Sequence, residues 1–388
     1  MKYYLIAGEA SGDLHGSNLI KELKRLDTSA TIRCWGGDKM RQAGGELVKH
    51  YSDLAFMGFW EVIKNIFTIL RNLKFCKKDI EQFQPDTLVL IDYPGFNLRI
   101  ARWAKQKGLR IVYYISPQVW AWKEGRVKMM KECIDKMIVI LPFEKDYFKN
   151  KWNWEVEYVG HPLVEEIENE KLKPDSYGLK NEKLSEKEII ALLPGSRKQE
   201  IMKKLPVMLE VSKKFPSHQF IVAKAPGTDE EFYSNLLKNY LNVSYVNNRT
   251  YELLMQSKAA LVTSGTATLE TALFGVPEVV CYKGSAFSYQ IAKRVIKVKY
   301  ISLVNLIMDR LVVKELIQQE LNPANLEREL KDILTNENRI SAITKDYTDL
   351  KNILSQKGNA SAKAAELIYQ FTSSKQFDSK NNKAKNKQ

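Results

Sequence analysis

Short apolar runs alternate with longer amphipathic segments along the first half of the chain. The runs have the length of strands, and most are followed by segments in which apolar residues recur every three to four positions, as in a helix with one buried face. Strands are expected at residues 3–7, 31–35, 87–91, 110–115 and 137–141. Strands that alternate with helices predict a parallel sheet.

A second series of the same kind begins after Gly160-His161-Pro162. Its strands are expected at residues 189–193, 219–223, 243–246, 259–263 and 279–281. The chain of 388 residues also exceeds the size of one ordinary core. The predicted fold class is therefore α/β, with two doubly wound Rossmann-like domains facing a cleft and C-terminal helices packing back on the first domain.

The predicted boundaries follow from where strand signals begin and end. We expect an N-terminal domain over residues 1–165, a C-terminal domain over residues 166–322 and helices over residues 323–370. Residues 371–388 are expected to form a disordered basic tail, because their last part carries five lysines and almost nothing apolar.

Charge and composition narrow the function classes. Lysine and arginine number 60 against 46 acidic residues, so the net charge of +14 favours anionic partners: nucleic acid, anionic lipid or phosphorylated metabolites. The four cysteines are widely spaced and form no metal-ligand pattern, which is typical of a reducing cytosol. Neither a signal peptide nor a membrane-spanning run is recognisable.

The turn after the first expected strand carries an unusual set of residues, Gly8-Glu9-Ala10-Ser11-Gly12-Asp13. Its glycine spacing differs from the dinucleotide pattern G-x-G-x-x-G, and its two carboxylates disfavour a phosphate ligand. Asp13 alone is equally well explained as a partner for free N–H groups at a helix N-terminus. Glu9 is the stronger candidate for a ligand contact.

Asp92 follows the fully apolar run at residues 87–91 and is a candidate general base. The alternative is a carboxylate that accepts hydrogen bonds from turn amides. Trp120 and Trp122 follow another strand end, where they would pack on a sugar or an acyl chain, or else belong to the core.

Two turns of the second domain suit a nucleoside diphosphate. The first contains Gly195, Ser196 and Arg197, and a planar guanidinium binds a diphosphate well. The alternative for Arg197 is an ion pair with Glu200.

The second turn contains Ser264, Gly265 and Thr266 before a helix whose N–H groups would bind phosphate. Glu270 lies one turn further along that helix, where it could bind ribose hydroxyls. The alternative is a capping role for Thr266, with Glu270 solvated.

Residues 57–78 form a basic amphipathic segment rich in aromatic residues. Such a segment either lies in a membrane interface or covers its own core. The residues expected to contact membrane or acyl chains are Phe59, Trp60, Ile63, Ile66, Phe67 and Leu70.

No D-x-D, HExxH, Walker A or G-x-S-x-G pattern occurs. We therefore expect neither a metal nor a cofactor. No nucleic-acid-binding motif occurs either, so nucleic acid is not an expected partner.

Ten short motifs occur in the order seen in the lipid-A-disaccharide synthase family, which this chain resembles over nearly its whole length. They are GEASGDLHG, GGDKM, MGFWEV, IDYPGFN, SPQVWAWK, LPFEK, VGHP, LLPGSR, SGTATLE and SLVNL. The resemblance implies a GT-B glycosyltransferase that joins UDP-2,3-diacylglucosamine to 2,3-diacylglucosamine 1-phosphate. The products would be a β-1′,6-linked disaccharide phosphate and UDP, in lipid A biosynthesis.

By motif match, Glu9 and Asp92 would lie on the acceptor side, with Asp92 as the base for the attacking 6-hydroxyl. Arg197, Glu270 and Asn305 would lie on the UDP-sugar side. The resemblance thus implies an acceptor and membrane-facing domain over residues 1–165 and a UDP-sugar-binding domain over residues 166–322. The resemblance also implies a peripheral location on the cytoplasmic face of the inner membrane, and a homodimer that exchanges C-terminal segments.

Two positions depart from the family pattern. Gly95 stands where many relatives carry a second aspartate, and Val304 stands where they commonly carry proline. The first departure removes a competing base, and the second makes the placement of Asn305 less certain. An epimerase or another UDP-sugar transferase remains the enzymatic alternative, and a basic nucleic-acid or membrane-binding module the non-enzymatic one.

Overall fold

The computed structural model describes residues 1–54, 66–172, 184–225, 228–284, 298–356 and 358–385. The chain forms two compact units. The first unit consists of Met1–Pro162 with Ser355–Gln388, and the second of Leu163–Leu354. The division after Pro162 lies close to the boundary expected near residue 165.

The first unit contains a seven-stranded parallel sheet with the order β3-β2-β1-β4-β5-β6-β7. Its strands are β1 (Lys2–Ala7), β2 (Thr31–Gly36), β3 (Glu46–His50), β4 (Thr87–Ile91), β5 (Ile111–Tyr114), β6 (Lys136–Val139) and β7 (Glu157–Tyr158). The helices between them are α1 (Ala10–Leu26), α2 (Asp38–Gln42), α3 (Ile66–Phe83), α4 (Pro94–Gln106), α5 (Arg126–Cys133) and α6 (Pro142–Trp152).

The second unit contains a six-stranded parallel sheet with the order β10-β9-β8-β11-β12-β13. Its strands are β8 (Ile189–Leu193), β9 (Gln219–Lys224), β10 (Val243–Asn247), β11 (Ser257–Thr263), β12 (Glu278–Tyr282) and β13 (Lys314–Ile317). Its helices are α7 (Pro162–Leu172), α8 (Lys198–Ser212), α9 (Glu230–Leu237), α10 (Thr250–Met255), α11 (Thr266–Phe274), α12 (Leu303–Met308), α13 (Pro323–Thr335) and α14 (Glu337–Ser355).

Central strands of both sheets are almost wholly apolar because helices cover both of their faces. Every residue of β4 and β8 is buried. Burial on both faces makes these strands recognisable from sequence, and the expected bounds of both strands match the observed ones. The α/β fold with two parallel sheets is therefore confirmed.

The C-terminal helices divide between the two units. Helices α13 and α14 belong to the second unit, whereas the last helix, α15 (Ala360–Lys385), packs against α1 of the first unit. The expectation that the helices after residue 323 return to the first domain therefore holds for α15 alone.

The expected disordered tail over residues 371–388 is wrong at its start. Thr372 is buried and its hydroxyl lies 2.9 Å from that of Thr87, while the Arg110 guanidinium lies 3.8 Å from the centre of the Phe371 ring. The helix continues through Lys385, because no glycine or proline follows Gly358 to end it. Apolar and hydroxyl contacts thus extend the fold past residue 370.

None of the helices within the described residues combines the length and apolarity needed to cross a bilayer.

Candidate active site

Two turns meet at the carboxyl edge of the first sheet. Strands β1 and β4 are neighbours with Ala7 opposite Ile91, so the turns that follow them begin side by side. A Cβ atom on Gly8 would lie 2.3 Å from the ring of Tyr93, which only glycine avoids. This close packing places the turns that carry Glu9 and Asp92 at the same edge of the sheet.

The Asp92 turn has a strained backbone. Asp92 and Tyr93 both adopt left-handed conformations, with φ of 44° and 50°. Each such residue costs about 1–3 kcal/mol and persists only where its surroundings enforce it. The Asn97 amide donates to the Asp92 carbonyl at 2.8 Å, and the Tyr113 hydroxyl donates to the same carbonyl at 2.6 Å. These two bonds fix the turn that carries the candidate base.

The environment of the Asp92 carboxyl suits proton transfer near neutral pH. Burial and the negative charge of Glu9 raise the pKa of Asp92 to about 7, and a hydrogen bond from the Tyr93 N–H opposes this rise. The residue remains partly exposed. A carboxyl with such a pKa can act as a general base close to neutral pH.

Asp13 has a structural role. Its carboxylate accepts hydrogen bonds from the N–H groups of Gly37, Lys39 and Met40 at 2.7, 3.2 and 3.0 Å. These groups belong to the N-terminus of α2, so Asp13 caps a neighbouring helix and not its own. The sequence indicated the chemistry of capping but not this partner.

Glu144 is a buried carboxyl that the sequence reasoning did not single out. One oxygen accepts from the Leu141 N–H at 3.0 Å and the other from the Trp120 indole N–H at 3.1 Å. Burial raises its pKa to about 8, and the charge of Asp92 contributes to the rise. The available signal was the glutamate three residues after the N-cap position in Leu141-Pro142-Phe143-Glu144.

The two tryptophans differ in their surroundings. Trp120 is half-buried and packs edge-on against Phe143, whereas Trp122 is exposed beneath the ammonium of Lys123. Trp122 therefore leaves an aromatic face open, and Trp120 belongs partly to the core.

Helix α3 presents an apolar and basic surface. Phe67 and Leu70 are 82% and 53% exposed, whereas Leu73, one turn after Leu70, is buried. Arg71 and Lys74 are exposed as well. The apolar residues of α3 therefore pack into the core only in part. Phe59, Trp60 and Ile63 lie outside the described residues, as does the side chain of Ile66.

In the second unit, two turns meet at the carboxyl edge of the sheet. Strands β8 and β11 are neighbours, and the Thr263 hydroxyl donates to the Pro194 carbonyl at 3.0 Å. Gly195 and Gly265 have φ of 113° and 151°, which other residues rarely adopt. The structure thus joins the two turns that the sequence analysis assigned to a nucleoside diphosphate.

Arg197 is exposed and precedes the first turn of α8. Its guanidinium lies 3.4 Å from the Glu200 carboxylate, so the ion pair considered as an alternative is present. Exposed pairs of this kind contribute only about 0–1 kcal/mol, so the contact leaves Arg197 able to change partner. Ser196 beside it is also exposed.

Lys204 is a further cation near this turn that the sequence reasoning missed. Its ammonium is buried, lies 4.0 Å from the Glu200 carboxylate, and would lie 3.5 Å from a Cβ atom on Gly195. Burial lowers the pKa of Lys204, and the charge of Glu200 opposes the decrease. Lysine within a helix gives no sequence signal for such a position.

The N-terminus of α11 is open. Gly265 and Thr266 are exposed, and no side chain caps the helix, so the capping role considered for Thr266 is absent. The Ser264 hydroxyl donates instead to the Ile301 carbonyl at 2.8 Å. An exposed helix N-terminus of this kind favours an anion.

Glu270 lies within the same helix and is partly buried, not solvated. The Tyr251 hydroxyl donates to its carboxylate at 3.0 Å, while burial raises the pKa of Glu270. The remaining acceptor capacity of this carboxylate is compatible with ribose hydroxyls.

Asn305 is buried and its amide is fully used inside the protein. The amide nitrogen donates to Val313 O and to Glu315 at 2.8 and 2.9 Å, and the amide oxygen accepts from the N–H groups of Val312 and Val313 at 2.8 and 2.9 Å. Two donors and two acceptor sites are the whole capacity of this side chain. We therefore assign Asn305 a positioning role, where the sequence analysis expected direct contact with the UDP-sugar.

Comparison with solved structures shows the fold. The chain superimposes on UDP-GlcNAc 2-epimerase from Neisseria meningitidis bound to UDP-GlcNAc with a TM-score of 0.68 and 13% identity, covering 95% of this chain and 100% of that one. The glycotransferase of kitacinnamycin gives a TM-score of 0.62, also at 13% identity, over 95% and 98% of the two chains. Both sheets thus follow the GT-B pattern of glycosyltransferases and epimerases.

Comparison with curated sequences is more specific. The chain is 37% identical to the lipid-A-disaccharide synthase of Syntrophus aciditrophicus over 373 residues, which is 94% of this chain and 96% of that protein. It is 39% identical to the enzyme of the same name from Geobacter metallireducens over 334 residues, or 84% and 86% of the two chains. The model of the family described as lipid-A-disaccharide synthetase matches residues 3–370. The resemblance inferred from the motifs is thereby confirmed, and the chain belongs to the lipid-A-disaccharide synthetase family of glycosyltransferases.

Proposed function

We propose that this protein is an inverting hexosyltransferase that joins UDP-2,3-diacylglucosamine to 2,3-diacylglucosamine 1-phosphate and releases UDP. Membership of the family supports a UDP-sugar donor and a lipid acceptor. The observation that carries the chemistry is the pair of Asp92 and Glu9, which follow β4 and β1, because burial and the charge of Glu9 raise the pKa of Asp92 to about 7.

On the acceptor side, Asp92 takes the proton of the attacking 6-hydroxyl. The strained turn, held by Asn97 and Tyr113, supports a fixed position for this carboxylate. Burial and, after it, the charge of Glu9 raise the pKa of Asp92 to about 7. A single displacement at the anomeric carbon inverts its configuration.

On the donor side, the N-terminus of α11 at Ser264, Gly265 and Thr266 binds the diphosphate. Arg197 leaves Glu200 to neutralise the charge that develops as UDP departs. Gly195 and Ser196 leave space beside it, and Glu270 accepts hydrogen bonds from ribose hydroxyls. In this proposal, helix N–H groups and a guanidinium stabilise the charge of the departing diphosphate, a role that a metal ion fills in other transferases.

The exposed apolar and basic side of α3 supports attachment to an anionic membrane surface. Phe67 and Leu70 would enter the interface while Arg71 and Lys74 meet lipid headgroups. We also propose membrane contact for Phe59, Trp60, Ile63 and Ile66, which precede Phe67 in the sequence. The protein would act on the cytoplasmic face of the inner membrane, as a homodimer with exchanged C-terminal segments.

The test is incubation of the purified protein with both diacylated substrates and excess EDTA, with mass spectrometry of the products. We expect disaccharide 1-phosphate and UDP in equal amounts. Turnover that disappears in EDTA and returns with magnesium would contradict the metal-independent mechanism.

A second incubation omits the acceptor and examines the UDP-sugar itself by NMR. The transferase is expected to leave the donor unchanged. Conversion to a 2-epimer would instead favour the activity named for the structural neighbours.

A further inference from the structure

A buried carboxylate on the edge strand β13 lies at the centre of a hydrogen-bond network in the second unit. The Glu315 carboxylate accepts from the N–H group of Ser302 at 2.9 Å and from that of Ile301 at 3.0 Å. It also accepts from the Asn305 amide at 2.9 Å. Three residues of one segment are thus held by a single side chain.

The network continues to the N-terminus of α11. Glu315 holds the Ile301 peptide through its N–H, and the carbonyl of Ile301 accepts from the Ser264 hydroxyl at 2.8 Å. Ser264 directly precedes Gly265, which leads into the open helix N-terminus. Glu315 is therefore connected to the candidate diphosphate site by two hydrogen bonds, one to the N–H group and one to the carbonyl of Ile301.

The same carboxylate stabilises α12. Ser302 caps this helix by accepting from the Asn305 N–H at 3.2 Å, and the Ser302 N–H itself donates to Glu315. Since the Asn305 amide is also bound to Glu315, the carboxylate fixes both ends of the first turn of α12. Bonds to a carboxylate are stronger than neutral ones, which makes this arrangement stiff.

We propose that Glu315 is a positioning residue for the UDP-sugar, which acts through Ile301 on Ser264 and thereby holds the N-terminus of α11 ready for the diphosphate. The inference rests on the proposed function. It assigns to β13 a part in donor binding although Glu315 itself need not touch the ligand.

The decisive experiment is a double-mutant cycle with Glu315→Gln and Ser264→Ala, read out as the dissociation constant of UDP by calorimetry. The amide introduced by Glu315→Gln lacks the charge and would present its own N–H group to the Ile301 N–H. In the background that retains Ser264, we expect Glu315→Gln to weaken UDP binding about tenfold, which is the usual effect of losing a hydrogen bond to a charged group. In the Ser264→Ala background we expect a change below about twofold, because the connection to α11 is already absent.

Equal weakening of UDP binding in both backgrounds would overturn the proposal, as would unchanged binding in Glu315→Gln. If Glu315→Gln does not fold, Glu315→Asp replaces it in the same cycle, since the shorter side chain keeps the charge but withdraws from Ile301. A parent protein that fails to bind UDP would contradict the proposed function itself.

Glu278 offers a matched control in the neighbouring strand. Glu278 is fully buried and begins β12, where it lies opposite Ala260 of β11. Cys281, which pairs with Thr263 near the carboxyl edge, follows three residues later. At the rise of a strand, Glu278 therefore lies roughly 10 Å from that edge. Burial, followed by the charge of Glu315, raises the pKa of Glu278 well above its usual range. Because of this distance, Glu278→Gln is expected to leave UDP binding unchanged. If it weakens UDP binding as much as Glu315→Gln does, Glu315 affects binding only through the general stability of the unit.

Discussion

At the scale of single residues, the pH dependence of the reaction follows from the surroundings of Asp92. Its pKa is raised to about 7 by burial and then by Glu9, so below that pH the carboxyl is protonated and cannot accept a proton. We expect kcat to fall as the pH decreases through about 7. Glu9→Gln removes the second cause and should move this decrease to lower pH, as measured by kcat against pH.

Glu22→Gln is the control for that shift, because Glu22 lies within α1, the helix that Glu9 precedes, and pairs with Arg25 at 2.9 Å. Its profile should match the parent. A profile of Glu9→Gln that stays in place, or moves to higher pH, would contradict the coupling of Glu9 to Asp92.

The positions of candidate site residues at strand ends are predictable from the sequence, whereas the hydrogen-bond partners of other residues are not. Asp92, Glu9 and Arg197 stand at strand ends, and the alternation of strands and helices places such residues at the carboxyl edge of a sheet. Asp13 and Asn305 were different, because their partners on α2 and β13 become neighbours only in the folded chain. Lys204 had no local signal, since its burial depends on the turn packed above it.

At the scale of elements, the exposed side of α3 predicts membrane attachment. The double variant Phe67→Ser and Leu70→Ser should reduce binding to anionic liposomes with little change in the melting temperature, because both side chains are mostly exposed. Cosedimentation with vesicles and thermal unfolding measure the two effects.

Leu241→Ser is the matched control, because Leu241 is a fully exposed leucine of the second unit. Its liposome binding should equal that of the parent. Unfolding of the double variant on α3 would show that this surface belongs to the core, and unchanged liposome binding would exclude it as the attachment site.

The strands that were not predicted from the sequence are all edge strands. Strands β3, β7 and β13 all lie at sheet edges, where one side lacks a neighbouring strand. Edge strands are short and mix charged with apolar residues, as in Lys314–Ile317, so they lack the apolar run that marks a central strand. The ten strands predicted correctly are recognisable because most of them are buried on both faces.

At the scale of the whole molecule, α15 determines how much of the C-terminus the fold requires. Ala364, Ala365 and Ile368 are fully buried in the first unit, and Thr372 contacts Thr87. Deletion of residues 360–388 should therefore destabilise the first unit strongly, whereas deletion of residues 375–388 should leave the melting temperature unchanged. Thermal unfolding of the two truncated chains measures the difference.

Equal stability of both truncated chains would show that α15 contributes little to the first unit. Equal destabilisation would instead show that the lysine-rich end is part of its structure.

We propose acceptor chemistry in the first unit and donor binding in the second. The most direct measurement determines kcat together with the dissociation constant of UDP for Asp92→Asn and Arg197→Ala. Asp92→Asn should lower kcat by about 10² to 10⁴ and leave UDP binding within about twofold, because it removes a base that UDP does not contact. Arg197→Ala should weaken UDP binding about tenfold and also lower kcat, because it removes charge-assisted bonds to the diphosphate.

Arg328→Ala is the matched control, because it also removes an exposed arginine of the second unit. Within the residues that the structure describes, Arg328 pairs only with the adjacent Glu329. It should match the parent in both quantities. The result that would contradict the account is Arg197→Ala binding UDP as tightly as the parent, or Asp92→Asn binding UDP poorly while its kcat stays near normal.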